Sequence, residues 1–203
     1  MPSFMIRPPA LRLRLPLILA SSSPRRRDLL AEAGIEARVV PADGVEEAHD
    51  PMLSSAELTC HNATMKAVEV ARRFPGALVL GADTLVYLGE EPLGKPRDPD
   101  EARTMLRRLS GRTHTVCTGV CLASGGGREA EVFHDLTQVT FRDLDEGTIG
   151  EYLRLVDVLD KAGAYAIQEH GSLIVAGVDG SLSNVVGLPV EALVRRLDRW
   201  VVR

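Results

Sequence analysis

Aromatic residues are scarce in this chain: one tryptophan, three tyrosines and four phenylalanines make up 4% of 203 residues. A platform for stacking unpaired bases needs several such rings. The formal net charge of -4 also removes the basic surface that coats a nucleic acid or an anionic membrane, so both partner classes are set aside. Cysteine is equally sparse. Cys60, Cys117 and Cys121 show no metal-type pairing. The last two would lie about 13 Å apart along one strand at ~3.3 Å per residue, too far for a disulfide. Packing roles in a reducing compartment follow, and with them a cytoplasmic location.

Long hydrophobic runs are missing as well, with none near the ~18 residues of a membrane-spanning helix. Residues 1–15 carry Arg7, Arg12 and Arg14 and no acid, the flank pattern of a targeting peptide, but the apolar stretch behind them is broken by Pro16. It is too short for a signal core. Residues 1–16 are therefore expected to form an N-terminal arm, with a start codon placed too early or a transit peptide as alternatives. Residues 17–203 are expected to form one domain, long enough to bury a sizeable core. Lysine is the rarest cation: of 24 basic residues only Lys66, Lys95 and Lys161 are lysines. A compact ammonium and a planar guanidinium are not interchangeable at a site, so these three draw attention.

What is present reads as alternating strands and helices. Residues 17–20 form a buried strand that runs through three serines into Pro24, a helix start, and Gly34 stops that helix. A second strand at 37–41 leads to an acidic loop with Glu46, Glu47 and Asp50. A helix over 55–74 turns Leu58, Met65, Val68 and Ala71 inward. The apolar run 77–82 is a central strand, and 84–93 a short hairpin through Gly89. A helix at 99–109, strands at 113–123 and 129–141 around Gly125–Gly127, and a last helix at 189–200 complete the pattern. The order implies an α/β fold with a mixed sheet flanked by helices.

Four segments could carry chemistry. Ser21 to Arg27 places three arginines in the first turn of a helix, where the dipole disfavours cations and free N–H groups attract anions; a bound polyphosphate would resolve that conflict. Asp83 and Thr84 follow six apolar residues at the end of a buried strand, where α/β sheets place ligands. Asp83 is there either a local cap or a functional carboxylate. Gly94 and Pro96 fix the backbone around Lys95, as a positioning site or a plain turn. The small residues at 162–166 permit close backbone approach beside Gln168, whose amide could face a ligand, and a structural turn explains most of this segment equally well. The triple glycine lacks the lysine and helix of a phosphate loop. The five histidines have no zinc spacing, and His134-Asp135 lacks histidine partners.

In this order the segments Leu19-Ala-Ser-Ser-Ser-Pro-Arg-Arg26, Gly81-Ala-Asp-Thr84, Leu93-Gly-Lys-Pro96, Leu109-Ser-Gly-Arg-Thr-His114, Asp160-Lys-Ala-Gly-Ala-Tyr165 with Gln168, and Asn184-Val-Val-Gly-Leu-Pro189 resemble the Maf family. Those proteins are relatives of inosine triphosphate pyrophosphatases. The resemblance covers about residues 17–197. It implies a long bent sheet with a cleft between two lobes, and hydrolysis of a nucleoside triphosphate to monophosphate and pyrophosphate. It makes Asp83 the general base and assigns Ser21, Arg25, Arg26, Lys66, Thr84, Lys95 and Gln168 to the substrate. Glu47, with Asp83, would hold a divalent metal, Mg²⁺. A homodimer is open as the assembly.

Within the family, Arg25, Thr84 and Gln168 resemble the branch acting on dTTP and UTP, whereas the branch acting on 7-methyl-GTP has Trp, Gln and Glu there. Two departures stand out. His61-Asn62-Ala63-Thr64 replaces the usual approach to the motif lysine, which contains an arginine. Glu169 and His170 follow Gln168 where the family has glycine, so an extra acid is expected beside the base pocket. The competing readings are a pyrophosphatase for a modified or non-standard nucleotide and a nucleotide-binding regulator of cell division.

The lysine scarcity makes a prediction. Lys66→Arg and Lys95→Arg keep the charge but change its shape, so each variant should lose activity in a pyrophosphate-release assay. Wild-type rates in both would remove the argument from lysine scarcity.

Overall fold

The computed structural model describes residues 11–50 and 52–202. Its first strand, β1 (Leu17–Leu19), is wholly buried and leads to helix α1 (Pro24–Glu32), which has proline in its first turn. Strand β2 (Arg38–Val39) follows, then the long helix α2 (Ser55–Arg73), opened by a capping box between Ser54 and Glu57. Strands β3 (Leu78–Leu88) and β4 (Glu91–Leu93) make a hairpin, and helix α3 (Pro99–Leu109) buries Ala102, Met105, Leu106 and Leu109 at helical spacing. Two long strands, β5 (Thr113–Ser124) and β6 (Glu129–Phe141), precede α4 (Glu146–Leu155), β7 (Val175–Asp179), α5 (Leu182–Val186) and α6 (Val190–Leu197).

The expected mixed sheet is present, with strand order β2-β1-β3-β5-β6-β7. β1 runs parallel to β2 and β3, and the remaining pairs are antiparallel. One detail of this topology makes the cleft. β5 occupies one edge of β3 from Val79 to Tyr87. The other edge is shared: β1 pairs with Leu78–Leu80, and β4 with Val86–Leu88. Residues 81–85 therefore lie on an open edge between two partners.

The two lobes are distinct hydrophobic clusters. Leu19, Leu30, Leu80, Val120 and Leu193 join β1, α1 and α6 to one face of the sheet, and Ala63, Ala67, Val79 and Cys121 join α2 to the other. Beyond the open edge, Val86, Leu106, Val116, Phe141, Ile149 and Tyr152 build a second core with α3 and α4. β3 and β5 contribute to both.

Several sequence expectations change. Residues 77–82 and the first half of the expected hairpin are one strand, so Asp83 sits inside β3 and not at its end. Two polar residues in succession, Asp83 and Thr84, resemble a terminus, but they lie within β3 along its open edge. The inward face of α2 is met in part: Leu58 and Ala71 are buried as expected, but Met65 and Val68 are only half-buried, while Thr59, Asn62, Ala63, Ala67 and Val70 are buried. The cause is close approach. A Cβ at Gly119 would lie 2.2 Å from the Thr59 carbonyl carbon, and one at Gly81 would lie 2.2 Å from the Ala63 oxygen. Small residues on α2 meet glycines on the sheet. The second strand shrinks to Arg38–Val39, and the last helix ends at Leu197 in a 3-10 turn, Asp198–Trp200.

Part of the expected N-terminal arm, residues 1–10, lies outside the described residues. Leu13 forms a bridge to Val201, and the Arg14 N–H donates to the Trp200 carbonyl at 2.7 Å, so residues 11–16 border the C-terminal segment. Among the described residues no helix is long and apolar enough to cross a membrane.

The close approach can be tested. Gly119→Ala should destabilise the fold by about 1–3 kcal/mol or more, because helix backbone has to move. For a chain of this size that lowers Tm by several degrees. Gly177→Ala, with nothing within 4 Å of the added carbon, is the control and should leave Tm unchanged. Equal Tm values for the two variants would contradict the packing argument.

Candidate active site

Successive residues of a strand point to opposite faces, so Gly81 and Asp83 face α2 while Ala82 and Thr84 face α1 and α5. At the open edge both faces become accessible from one space. A cavity of about 340 Å³ wraps this edge and is lined by Asp83 and Thr84 together, with Lys66 on one side and Arg26 and Gly187 on the other. A second cavity of about 330 Å³ adjoins it, sharing Ser23, Arg25, Arg26, Glu47, Lys66 and Lys95 and adding Ser21 and Ser22.

Asp83 is buried, 5% exposed, and both of its oxygens are engaged from α2. Lys66 Nζ donates to Oδ1 at 2.8 Å, and Asn62 Nδ2 donates to Oδ2 at 3.1 Å. Lys66 also pairs with Glu47 Oε1 at 2.6 Å, so one ammonium stands between two carboxylates. This side of the site exists because α2 lies so close to the sheet.

On the other face, Arg26 is gripped by three neutral oxygens. Nε donates to the Gly187 carbonyl at 2.9 Å, one terminal nitrogen to Ser21 Oγ at 3.1 Å, and the other to Thr84 Oγ1 at 3.1 Å. Burial pushes the guanidinium below its usual pKa, opposed by the Asp83 carboxylate; it stays protonated at neutral pH, with two of five N–H donors left for a ligand. Thr84 is itself held by Thr118 Oγ1 at 3.0 Å. Arg25 reaches across the cleft to Asp160 Oδ2 at 3.0 Å. Burial works against ionisation of Asp160, but hydrogen bonds from Lys161 and Arg25 outweigh it and lower its pKa.

Lys95 is exposed and lines both cavities, without an ion-pair partner among the described residues. Gln168 lines the larger one, and its amide makes no hydrogen bond among the described residues. The wall beside it includes Tyr165, whose hydroxyl meets His114 Nε2 at 2.9 Å. Burial pushes that imidazole down to about 4, so it is neutral near pH 7. Five cationic side chains and three carboxylates line this cavity.

The structure thus gathers Ser21, Arg25, Arg26, Glu47, Lys66, Asp83, Thr84, Lys95 and Gln168 around two joined cavities. Glu169 does not supply the extra acid expected beside the base pocket. It turns to Lys161 Nζ at 3.7 Å, and neither it nor His170 lines the cavity. Lys161, the third lysine, is buried and pairs with Asp160 Oδ1 at 2.8 Å, bracing the partner of Arg25. The sequence reading missed Asn62, Thr118 and the Gly187 carbonyl. Asn62 had one available signal, its place one helical turn before Lys66. A backbone carbonyl has none.

Comparison with known proteins places this geometry. Residues 16–200 match the family described as Maf-like protein. A dTTP/UTP pyrophosphatase of Akkermansia muciniphila is 51% identical over 183 residues, covering 90% of this chain and 95% of the relative. Proteins of the same name from Myxococcus xanthus and Pelotomaculum thermopropionicum are 54% and 44% identical, covering 90% and 91% of this chain and 91% and 96% of the relatives. With a family match spanning nearly the whole sequence and relatives this similar along their own lengths, the chain belongs to the Maf family.

Proposed function

We propose that the protein hydrolyses nucleoside triphosphates, dTTP and UTP foremost, to the monophosphate and pyrophosphate. The observation that carries this reading is Arg26: a partly buried guanidinium held only by neutral oxygens, its charge uncompensated by direct contact, across an open strand edge from a buried carboxylate. An unpaired cation in such a place suits an anion. Ser21, Arg25, Arg26 and Lys95 surround the smaller cavity, which suits the phosphates, while Gln168, Tyr165 and Thr84 line the larger one, which suits the nucleoside. The names of the relatives support the same substrates.

In this reading a water attacks the α-phosphorus and loses its proton to Asp83, and the bond to the bridging oxygen of the pyrophosphate breaks. Lys66 and Asn62 hold the carboxylate oriented and leave it lone pairs for that proton. Arg25, Arg26 and Lys95 stabilise the charge growing on the leaving group, a preorganised contribution larger than the proton transfer. Arg25 exchanges Asp160 for phosphate when substrate arrives.

No three metal-ligating side chains converge among the described residues. Glu47 and Asp83 do converge, on the same ammonium. That ammonium fills the point between them, so Mg²⁺ would be held through the lone pairs that Lys66 and Asn62 leave free, with substrate phosphates and waters completing its shell. Such an ion would supply charge neutralisation on the phosphates. The reading places the protein in the cytoplasm, consistent with the free cysteines.

Pyrophosphate release across the common nucleotides, with and without Mg²⁺, tests the reading, and no release above background from any of them would end it. Asp83→Asn should lower turnover by at least about a hundredfold while the fold is retained. Near-normal turnover in that variant would take the role of base away from Asp83.

Specificity gives a further prediction. The amide of Gln168 offers a donor and an acceptor together, matching the adjacent carbonyl and N–H of uracil and thymine. It offers no ion pair to a cationic 7-methylguanine. In kcat/KM, dTTP and UTP should exceed 7-methyl-GTP by a large factor and differ little from each other. Gln168→Glu should erode that preference, and combining it with Arg25→Trp and Thr84→Gln should erode it further. A preference of the unmodified protein for 7-methyl-GTP would contradict the assignment of these three positions.

A further inference from the structure

Asn62 lies in the stretch where the chain departs from the family pattern, yet it is 2% exposed and grips two parts of the site at once. It precedes Lys66 by one turn of α2, so both side chains leave the same face of the helix. One Nδ2 hydrogen goes to Asp83 Oδ2 at 3.1 Å and the other to the Ala48 carbonyl at 3.3 Å, while Oδ1 accepts from the Ala48 N–H at 2.8 Å. Every hydrogen-bonding atom of the amide is engaged, and Ala48 is held through both of its backbone groups.

The segment so held carries Glu47. Residues 45–49 have no regular secondary structure, and Glu47 is exposed. Among the described residues, the polar contacts of this segment are the two Asn62–Ala48 hydrogen bonds and the Glu47–Lys66 ion pair. Segments held by so few bonds open locally. A carboxylate, for its part, rotates about a broad two-fold torsion unless donors fix each oxygen. Asp83 has one donor on each, and Asn62 is the neutral one.

We propose that Asn62 is a positioning residue for both carboxylates: its amide sets the plane of Asp83 and moors residues 45–49 so that Glu47 stands opposite Asp83 across Lys66. Its effect on turnover rests on the pyrophosphatase reading, whereas its mooring of the segment does not.

The test compares the wild-type protein with Asn62→Ala and Asn62→Asp, at a temperature where circular dichroism shows all three folded. Pyrophosphate release gives kcat and KM, and hydrogen exchange followed by mass spectrometry gives the protection of residues 44–50. Alanine removes both grips. Aspartate keeps an oxygen for the Ala48 N–H but loses the hydrogen for Asp83 and faces it with like charge. Both variants should lose about tenfold to a hundredfold in kcat, the usual loss when a group behind a metal-binding carboxylate is removed. KM should change little, because Arg25, Arg26 and Lys95 make no hydrogen bond or ion pair with Asn62 or with residues 45–49. Protection of residues 44–50 should fall in the alanine variant and persist in part in the aspartate variant. That split separates positioning from a general loss of stability. Wild-type kcat in either variant, or unchanged protection in the alanine variant, would overturn the proposal. The aspartate variant carries the test through kcat if the alanine variant does not fold. A wild-type protein that releases no pyrophosphate would sink the enzymatic reading and leave the protection result to decide the mooring.

Discussion

Helix α2 lies against the sheet at a distance that only glycine permits. Gly81 and Gly119 leave room for helix backbone where any side chain would collide with it. The helix answers with alanines at 63, 67 and 71, so its contact surface is nearly smooth. This contact sacrifices the burial of large side chains, and a contact made of small ones gains less hydrophobic free energy per residue. What it gains is reach. A lysine and an asparagine one turn apart meet a carboxylate within the neighbouring strand, at hydrogen-bond distance and largely out of water. Much of the chemistry on this side of the cleft follows from that spacing.

The other side is organised by neutral groups. The Gly187 carbonyl and the hydroxyls of Ser21 and Thr84 fix a guanidinium without cancelling its charge. Two kinds of preorganisation therefore face each other across the open edge of β3. On the α2 face, charges are paired and tightly placed; on the α1 face, a charge is placed and left uncompensated by direct contact. A polyanion gains from the second without having to dismantle the first.

Much of this was legible in the sequence, and the failures share a cause. The periodicity of α3 came out correctly because Ala102, Met105, Leu106 and Leu109 are buried at helical spacing, and the lengths of β5 and β6 because Gly125–Gly127 mark the turn between them. On α2, Leu58 and Ala71 came out correctly and Met65 and Val68 did not, since these two are more hydrophobic than Ala63 and Ala67, which are buried in their place. β3 was cut at Asp83 because two polar residues in an apolar run resemble a terminus. The sequence does not display that the edge beside them is open. α4 was missed because it buries only Ile149 and Tyr152, and β7 because nearly all of it is exposed. At the site, side chains within motifs were found, while the Gly187 carbonyl and the mooring at Ala48 depend on backbone positions that only the folded chain reveals. Glu169 was expected to intrude on the base pocket, but its carboxylate pairs with Lys161 and does not line the cavity.

The sharing of one edge of β3 by β1 and β4 bears on how the cleft can move. β3 and β5 pass without interruption from one hydrophobic core to the other. Shear between the lobes would break a continuous hydrogen-bonded ladder, so this part of the wall is held by backbone pairing, in contrast to the segment that carries Glu47. A wall built on such pairing presents its side chains at positions set by the strand register. Side chains that stand on this pairing can be exchanged without disturbing it, whereas those across the cleft, such as Arg25 with Asp160, are coupled to one another.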